Sequence, residues 1–295
     1  MEHKLRPGMI TLTWTSMNID SFIQHIHRGL KQLRELISNI NGIIENRIEK
    51  NLKIVSRTLL IDLPEDSSFT VSDFVAMQKV HITQKASMLQ GKNKEIESAV
   101  EDLIEQITAY VFESPLENIK LEDIAKLRDH YNHFMYKSLL NSAKNSMNAL
   151  KKRIGSRGGN SILNSSKPFF NVDVQLMPPN VTLSPSLDQI QDCISTTAQT
   201  ILTCYKRVID WGYRSFTNEH KPRSFFDRIT KDIELVRVAL LLTGCIQGIR
   251  NTVAEYLNSF VKVRKIMISI FNILAIFHLI SCENSIIGCG NQTRM

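Results

Sequence analysis

A long apolar stripe near the N-terminus constrains the fold of this chain more than any other feature. Between Phe22 and Val55 an apolar residue recurs at every third or fourth position, and the members are Phe22, Ile26, Leu30, Leu33, Ile37, Ile40, Ile44, Ile48, Leu52 and Val55. This spacing predicts one α-helix of roughly nine turns with these side chains on a single face. Because a lone helix cannot bury such a face, the stripe predicts partner helices of similar length. Asn18 or Asp20 is expected to cap the helix.

Two further apolar patterns predict two more long helices. The stretch Thr58–Phe69 contains a proline and two acidic residues and is expected to be an extended connector. Thr70 and Asp73 have the spacing of a capping box and are expected to begin the second helix. A break near Pro115 precedes the third helix, whose expected inward residues are Leu121, Ile124, Leu127, Tyr131, Phe134, Leu139, Met147, Leu150 and Ile154. Short connections predict that these three helices are antiparallel.

The second half of the chain combines one strand with two more helices. The alternating stretch Phe169–Leu176 predicts a strand that ends at Pro178. Ser186 and Gln189 have capping-box spacing and predict a fourth helix that finishes at Trp211. A fifth helix is expected to run from Phe225 to Phe260, after a polar link.

Together these patterns predict a mainly α fold, namely an elongated antiparallel bundle of long helices with one short extended or β segment. The expected organisation has a helical bundle over residues 1–154 and a Gly/Ser-rich linker over 155–168. A strand and a helical pair are expected over 169–260, and a divergent apolar tail over 261–295. With 43% hydrophobic and 22% charged residues, the chain is long and apolar enough to bury a core.

The net charge of +7 does not by itself indicate a nucleic-acid partner. The basic residues alternate with acidic ones along predicted helix faces, and the compact run Lys151–Arg153 lies at a predicted helix end, where cations favour the helix dipole. We therefore expect no nucleic-acid partner. The five cysteines have no CxxC spacing and are expected to be small core residues rather than zinc ligands or disulfides.

No pattern in the sequence indicates a catalytic or cofactor site. A phosphate-binding G-x-x-x-x-G-K-[ST] loop and a G-x-S-x-G nucleophile motif are both missing. His130 and His133 could share a helix face, but only Asp129 lies near them as a further ligand. Adjacent carboxylates such as Glu101 and Asp102 diverge on a helix and cannot act together on one bond. We expect no catalytic residue, no metal and no cofactor in this chain.

The tail Ile266–Ile280 is nearly all apolar. Its fifteen residues are fewer than the roughly 20 that span a bilayer. A buried helix and a tail anchor are both compatible with this composition, and a membrane role is the less expected of the two.

Two stretches resemble the stem of axonemal dynein heavy chains, close to the gamma type of the outer arm. The first contains PGMITLTWTSMNID and continues through Asn41–Pro64. The second is Phe169–Gly212, which contains PNVTLSPSLDQIQ. The resemblance extends over Leu5–Phe260 and implies that Met1 corresponds to an internal position of a much longer chain, just before the linker region. The residues after Phe260 do not match the family, and we expect read-through of non-coding sequence or an error in a truncated gene model there rather than a genuine short isoform.

The resemblance implies a function as well as a location. Dynein heavy chains are ATP-driven, minus-end-directed microtubule motors, and their stem anchors the motor, holds intermediate and light chains and transmits force. The implied partners are intermediate and light chains, other dynein heavy chains and, through the complex, the axonemal doublet microtubule. The implied location is the axoneme of a cilium or flagellum, within the cytoplasm and cytoskeleton. No residue here matches the family's nucleotide-binding or tubulin-binding motifs.

Three aromatic residues are candidate interaction sites, because aromatic side chains anchor protein interfaces. They are Trp14, Trp211 and Tyr213. The alternative is that both tryptophans simply pack at the ends of structural elements. A free-standing helical adaptor or scaffold is the alternative function for the whole chain, and a tail-anchored membrane protein is a less expected one.

Overall fold

The structure, a computed structural model, describes residues 6, 8, 10–13, 15–64, 67–112, 121–155, 169–177, 180–212 and 223–289. In chain order its elements are α1 (Ile19–Ile43), a π-helix (Ile44–Glu49), α2 (Lys50–Arg57), α3 (Val71–Phe112), α4 (Leu121–Gly155), β1 (Asp173–Met177), β2 (Asn180–Ser184), α5 (Leu187–Thr203), a 3-10 turn (Cys204–Arg207), α6 (Phe226–Thr230) and α7 (Ile233–Cys289). Long helices dominate and the two strands form a single small sheet. The prediction of a mainly α fold is confirmed.

The chain divides into two compact units, each built from interleaved segments. The first unit comprises residues 1–63, 76–149 and 196–239, and the second comprises 64–75, 150–195 and 240–295. The predicted linear boundaries at 154, 168 and 260 stay a prediction. The predicted linker over 155–168 lies outside the described residues, apart from Gly155.

The first predicted helix continues without a break from Ile19 to Arg57, but a π-helix interrupts its α geometry. The apolar spacing gives a physical reason for the interruption. From Ile40 to Leu52 the apolar residues recur every fourth residue, and in an α-helix each such step drifts by roughly 40° around the axis. A π turn holds more residues than an α turn and reverses this drift, and the apolar residues buried across it are Ile43 and Ile48, five positions apart. Asn18 occupies the N-cap position without a side-chain cap bond, so the predicted cap is wrong.

Successive long helices of the first unit are antiparallel, as predicted. Arg47 of the first helix forms an ion pair with Asp102, toward the end of α3. Farther along the chain, the Asp62 N–H donates to Gln78 Oε1, near the start of α3, so the first helix and α3 run in opposite directions. Between α3 and α4, Arg128 pairs with Glu101. The adjacent residues Cys204 and Tyr205 donate to the carbonyls of Ile82 in α3 and Leu139 in α4. Ile82 precedes Glu101 whereas Leu139 follows Arg128, so α3 and α4 also run in opposite directions.

The core of the first unit contains part of the predicted apolar positions: in the first stripe Ile48 and Val55 are buried, whereas Leu30 and Ile37 are exposed. Buried apolar residues of α3 are Ile82, Leu89, Ile96, Val100 and Leu103, and the predicted inward residues of α4 that are buried include Leu139 and Met147. Phe134 was predicted to face inward but is 40% exposed, because the buried face of α4 passes through Met135 and Ser138 instead. Cys193 and Cys204 are buried, as expected for core cysteines, and burial raises the pKa of Cys204 to about 11.

The predicted strand is one half of an antiparallel hairpin. It begins at Asp173, later than predicted, and β1 pairs with β2 in a register that sets Val174 opposite Leu183 and Gln175 opposite Thr182. The second strand was not predicted, because Pro178 and Pro179 were expected to end the extended region. The N–H of Phe69 donates to the carbonyl of Phe169, which ties the preceding connector to the stretch before β1.

Two helix boundaries differ from the sequence predictions. The Ser186–Gln189 capping box is confirmed with both of its bonds: the Ser186 N–H donates to Gln189 Oε1 over 2.9 Å and the Gln189 N–H donates to Ser186 Oγ over 3.2 Å. The helix then ends at Thr203 with a 3-10 turn, well before Trp211. The predicted fifth helix is two helices, because Asp232 interrupts the first and caps the second with Oδ1. Among the described helices, none is both long and apolar enough to cross a membrane.

Candidate functional site: a polar cluster around Trp211

The indole of Trp211 lies inside the first unit. The residue is 1% exposed, and its Nε1–H donates to Asn93 Oδ1 over 3.1 Å. Asn93 is also buried, and its amide donates to the carbonyl of Ile209 over 3.0 Å. Asn93 therefore attaches the stretch after the 3-10 turn to α3 through two bonds. Trp211 is therefore packed inside the first unit, and its role in binding partners stays a prediction.

The other two candidate aromatics, Trp14 and Tyr213, lie outside the described residues. Their role in binding partners stays a prediction. The sequence did identify the region of Trp211, but it gave no indication of the polar residues that surround the indole. Those residues come from four separate parts of the chain.

A buried carboxylate next to Trp211 connects α4 to α6. Asp210 is 5% exposed, and its two oxygens accept from Asn132 Nδ2 over 2.8 Å and from Arg228 Nη1 over 3.0 Å. Its own N–H donates to the carbonyl of Arg223 over 2.9 Å. Bonds to a charged acceptor are stronger than neutral ones, and a buried carboxylate without them would be strongly destabilising. Asp210 thus holds the segment around residue 224 against α4.

Arg228 extends the cluster to the start of α7. Its guanidinium lies 4.4 Å from the ring centroid of Tyr136, a cation–π contact. The Tyr136 hydroxyl donates to Asp232 Oδ2 over 2.6 Å, while Asp232 Oδ1 caps α7. Burial and this bond to Asp232 raise the pKa of Tyr136 to about 12. Burial alone would raise the pKa of Asp232, but the bonds from Tyr136 and from two backbone N–H groups lower it.

Close approach at Gly212 completes the cluster. A β-carbon at this position would lie 2.3 Å from Asn132 Nδ2 and 2.9 Å from Asp129 Oδ1, so a side chain cannot fit unless these two side chains of α4 shift. Burial and the nearby charge of Asp210 raise the pKa of Asp129. Glycine is therefore required here by space rather than by backbone conformation.

The arrangement has the chemistry of a joint between helices. Its charged groups are engaged with one another, and no nucleophile with an adjacent base was found in the part of the chain that the structure describes. The two histidines of α4 point into aromatic contacts: the His130 ring lies 4.7 Å from Phe134 and the His133 ring lies 6.2 Å from Tyr136. Within the described residues no group of three or more His, Cys, Asp or Glu could hold a metal ion.

A second polar contact fixes the connector after α2 to α4. Ser142 Oγ donates to the carbonyl of Thr58 over 2.8 Å, and Ser146 Oγ accepts from the N–H of Leu60 over 2.9 Å. Both serines are fully buried. Sequence reasoning missed them because a serine on a helix is normally assigned to the exposed face.

The second unit contains an apolar cavity of about 320 Å³. It lies among the β-hairpin, α5 and α7, and its lining includes Phe169, Phe170, Leu187, Ile190, Ile249 and Val253. The charged residue of its wall, Arg250, is held by Asp188 Oδ1 at 2.8 Å and by Gln191 Oε1 at 3.2 Å. The cavity could accept apolar side chains, and no catalytic group lines it.

Comparison with known proteins identifies the family. No protein-family model matches the chain. It is 36% identical over 262 residues to the dynein gamma chain of the flagellar outer arm from Chlamydomonas reinhardtii, and the match covers 89% of this chain and 6% of that protein. The chain belongs to the axonemal dynein heavy chains. Dynein axonemal heavy chain 8 of Mus musculus is 24% identical over 91% of the chain, and dynein axonemal heavy chain 5 of Rattus norvegicus is 25% identical over 72% of it.

These matches confirm the resemblance found in the sequence, including its outer-arm gamma type, and assign this heavy-chain segment to the axoneme of cilia and flagella. The chain spans only 6 to 8% of the length of these relatives. The described geometry therefore concerns a small part of a heavy chain. In this part, buried polar side chains connect the long helices to one another.

Proposed function

We propose that this heavy-chain segment is a non-catalytic part of the dynein stem, which anchors the motor, holds intermediate and light chains and transmits force to the axonemal doublet. The observation that carries the proposal is the polar cluster around Trp211. It joins α3, α4, α6 and the start of α7 through bonds that each connect different elements.

Such cross-connections suit an element that must transmit force. Apolar contacts are non-directional, so helices held by them alone can slide and rotate relative to one another. Buried hydrogen bonds and ion pairs fix one register, since a shifted helix would leave polar groups unpaired. The same reasoning applies to Ser142 and Ser146, which fix the connector against α4. None of these groups is arranged for chemistry on a substrate.

The proposed partners follow from family membership. They are dynein intermediate and light chains, other dynein heavy chains and, through the complex, the doublet microtubule. ATP hydrolysis by the parent heavy chain is assigned to parts outside this segment, and neither a cofactor nor a nucleic acid is a proposed ligand.

A substitution in the full-length heavy chain tests the proposal. Ile48 is fully buried, so Ile48→Asp disrupts the packing of the first helix, whereas Ser38→Asp places the same charge on an exposed position of α1. In purified outer arms, Ile48→Asp should reduce retention of intermediate chains and attachment to doublets while ATP turnover per heavy chain stays at the wild-type value. Ser38→Asp should change none of these. Lost turnover in arms that keep their subunits and still attach would contradict the proposed stem role.

A catalytic role is tested separately on the 295-residue chain. Purified to homogeneity, it should hydrolyse ATP no faster than a buffer blank. Hydrolysis that rises in proportion to the chain concentration, and that a buried-core variant abolishes, would refute the non-catalytic assignment.

A further inference from the structure

The N-terminal part of the first helix, from Ile23 to Ile44, carries a heptad-spaced apolar face that is only partly covered. Its apolar residues follow a heptad repeat, with steps of three and four residues in alternation. One set of positions, seven residues apart, is Ile23, Leu30, Ile37 and Ile44, and the other set is Ile26, Leu33 and Ile40. Three uninterrupted heptads of this kind are typical of a helix that packs along a second helix. Ile23, Leu30 and Ile37 are 39%, 47% and 50% exposed, whereas Ile48 and Val55 farther along are fully buried.

The contacts of the first unit show how far α3 and α4 extend along the apolar face of α1. Arg47 pairs with Asp102 on the antiparallel α3, which ends at Phe112, ten residues later. Since antiparallel helices advance equally, α3 extends only to the level of about Ile37. Arg128 pairs with Glu101 at nearly the same level, and α4 begins at Leu121. Residues 19–36 of α1 therefore extend roughly 27 Å beyond these two helices.

The charges beside this face select the occupant. Between Ile23 and Ile40 the positions that flank the exposed set carry His27, Lys31 and Arg34, and the carboxylate beside this face is Asp20, one turn before Ile23. Lys31 reaches Glu35 on the far side only at 3.9 Å, and both side chains are largely exposed. A second copy of α1 would bring the same basic residues to the middle of the seam, and the carboxylate it would add beside this face is Asp20 in the first turn of the helix. The complementary occupant is a helix with carboxylates beside its apolar positions.

We propose that the occupant is a helix of the same heavy chain, from outside the 295 residues, with an apolar seam flanked by acidic residues. The matched region is 6% of the gamma chain, so most of a heavy chain is available to supply it. The exposed face is also continuous with the covered one, so the added helix extends an existing bundle. The inference rests on family membership and is independent of the anchoring and force-transmission roles proposed above.

Site-specific cross-linking in the full-length heavy chain tests this inference. A photo-reactive phenylalanine analogue replaces Leu30 in one variant and Glu35, on the opposite face, in a matched control. In assembled arms, position 30 should cross-link with several-fold higher yield than position 35. The product should have the mass of a single heavy chain, and its peptide should map outside this span to a helix with acidic flanks.

Each other outcome overturns the proposal. A product of doubled mass would identify a second heavy chain, and a product with added small mass would identify an intermediate or light chain. A peptide within the 295 residues, or a yield equal to that of position 35, would show that no outside helix covers α1.

In the same preparations, Arg34→Glu should lower the cross-linking yield at position 30 several-fold and Arg34→Lys should preserve it. Equal yields for the two variants would refute the acidic flank. Doublet attachment and ATP turnover, measured in parallel, report separately on the stem role.

Discussion

The Nε1–H of Trp211 donates to Asn93 Oδ1 over 3.1 Å, which joins the stretch after the 3-10 turn to the middle of α3. This bond is one member of a set that includes Asn132–Asp210, Asp210–Arg228 and Tyr136–Asp232. The members come from parts of the chain far apart in sequence. Their removal should therefore affect the whole first unit rather than one helix.

The Trp211→Phe variant should unfold more easily than the wild type. The change leaves Asn93 Oδ1 without its donor inside the core and removes part of a buried ring, at a cost of about 2–4 kcal/mol. Urea unfolding followed by circular dichroism measures this loss. Met17→Ala, at a fully exposed residue, should stay within about 0.5 kcal/mol of wild type. Equal midpoints for wild type and Trp211→Phe would show that the indole bond does not contribute.

Two glycine substitutions should have opposite effects. Gly212→Ala places a methyl group 2.3 Å from Asn132 Nδ2 and should destabilise the chain by about 1–3 kcal/mol. Gly91→Ala adds the same methyl group inside α3, where nothing lies within 4 Å, and should stabilise it by about 0.5–1 kcal/mol. Thermal unfolding of both variants provides the comparison. Stabilisation by Gly212→Ala would contradict the close contact with α4.

Tyr136 should make stability depend on pH in the alkaline range. Its pKa is raised from 10.0 to about 12, so the protonated phenol is favoured in the folded state. That contribution is fully present below pH 10 and is lost as the pH rises to about 12. The free-energy difference between wild type and Tyr136→Phe should therefore shrink over this range. A constant difference from pH 8 to 12 would contradict the raised pKa.

Ser146→Ala should release the connector from α4. The N–H of Leu60, whose residue is fully buried, would lose its acceptor, and such an unpaired group costs about 1–3 kcal/mol. The matched control is Ser38→Ala on the exposed face of α1, which should be neutral or slightly stabilising because alanine is the better helix former. Amide hydrogen exchange at Leu60 should accelerate in Ser146→Ala alone. Unchanged exchange there would show that the serine is not the acceptor.

The sequence predicted the helices of this fold because apolar spacing follows directly from burial on one side. It also predicted the Ser186–Gln189 capping box, whose residues interact locally and need no tertiary context. It did not predict β2, since a hairpin through two prolines depends on pairing and not on composition. The break at Asp232 was missed because an aspartate inside an apolar pattern gives no sign that it caps a new helix.

The polar cluster illustrates what sequence reasoning could not reach. Asn93, Asn132, Asp210 and Arg228 lie in four separate parts of the chain, and each alone is an ordinary surface residue type. Only the packing of α3, α4, α6 and the stretch after the 3-10 turn brings them together. Trp211 was recognised because large aromatic residues are rare, but its burial inside the first unit depends on those tertiary neighbours.

The contrast between two substitutions in the first helix tests the central claim most directly. If one apolar stripe packs its C-terminal half within this chain and leaves its N-terminal half for another helix, Ile48→Asp and Leu30→Asp must differ. Ile48 is fully buried and Leu30 is 47% exposed, so urea unfolding of the 295-residue chain should show a loss above about 4 kcal/mol for the first and below about 1 kcal/mol for the second. Equal losses for the two variants would contradict the account.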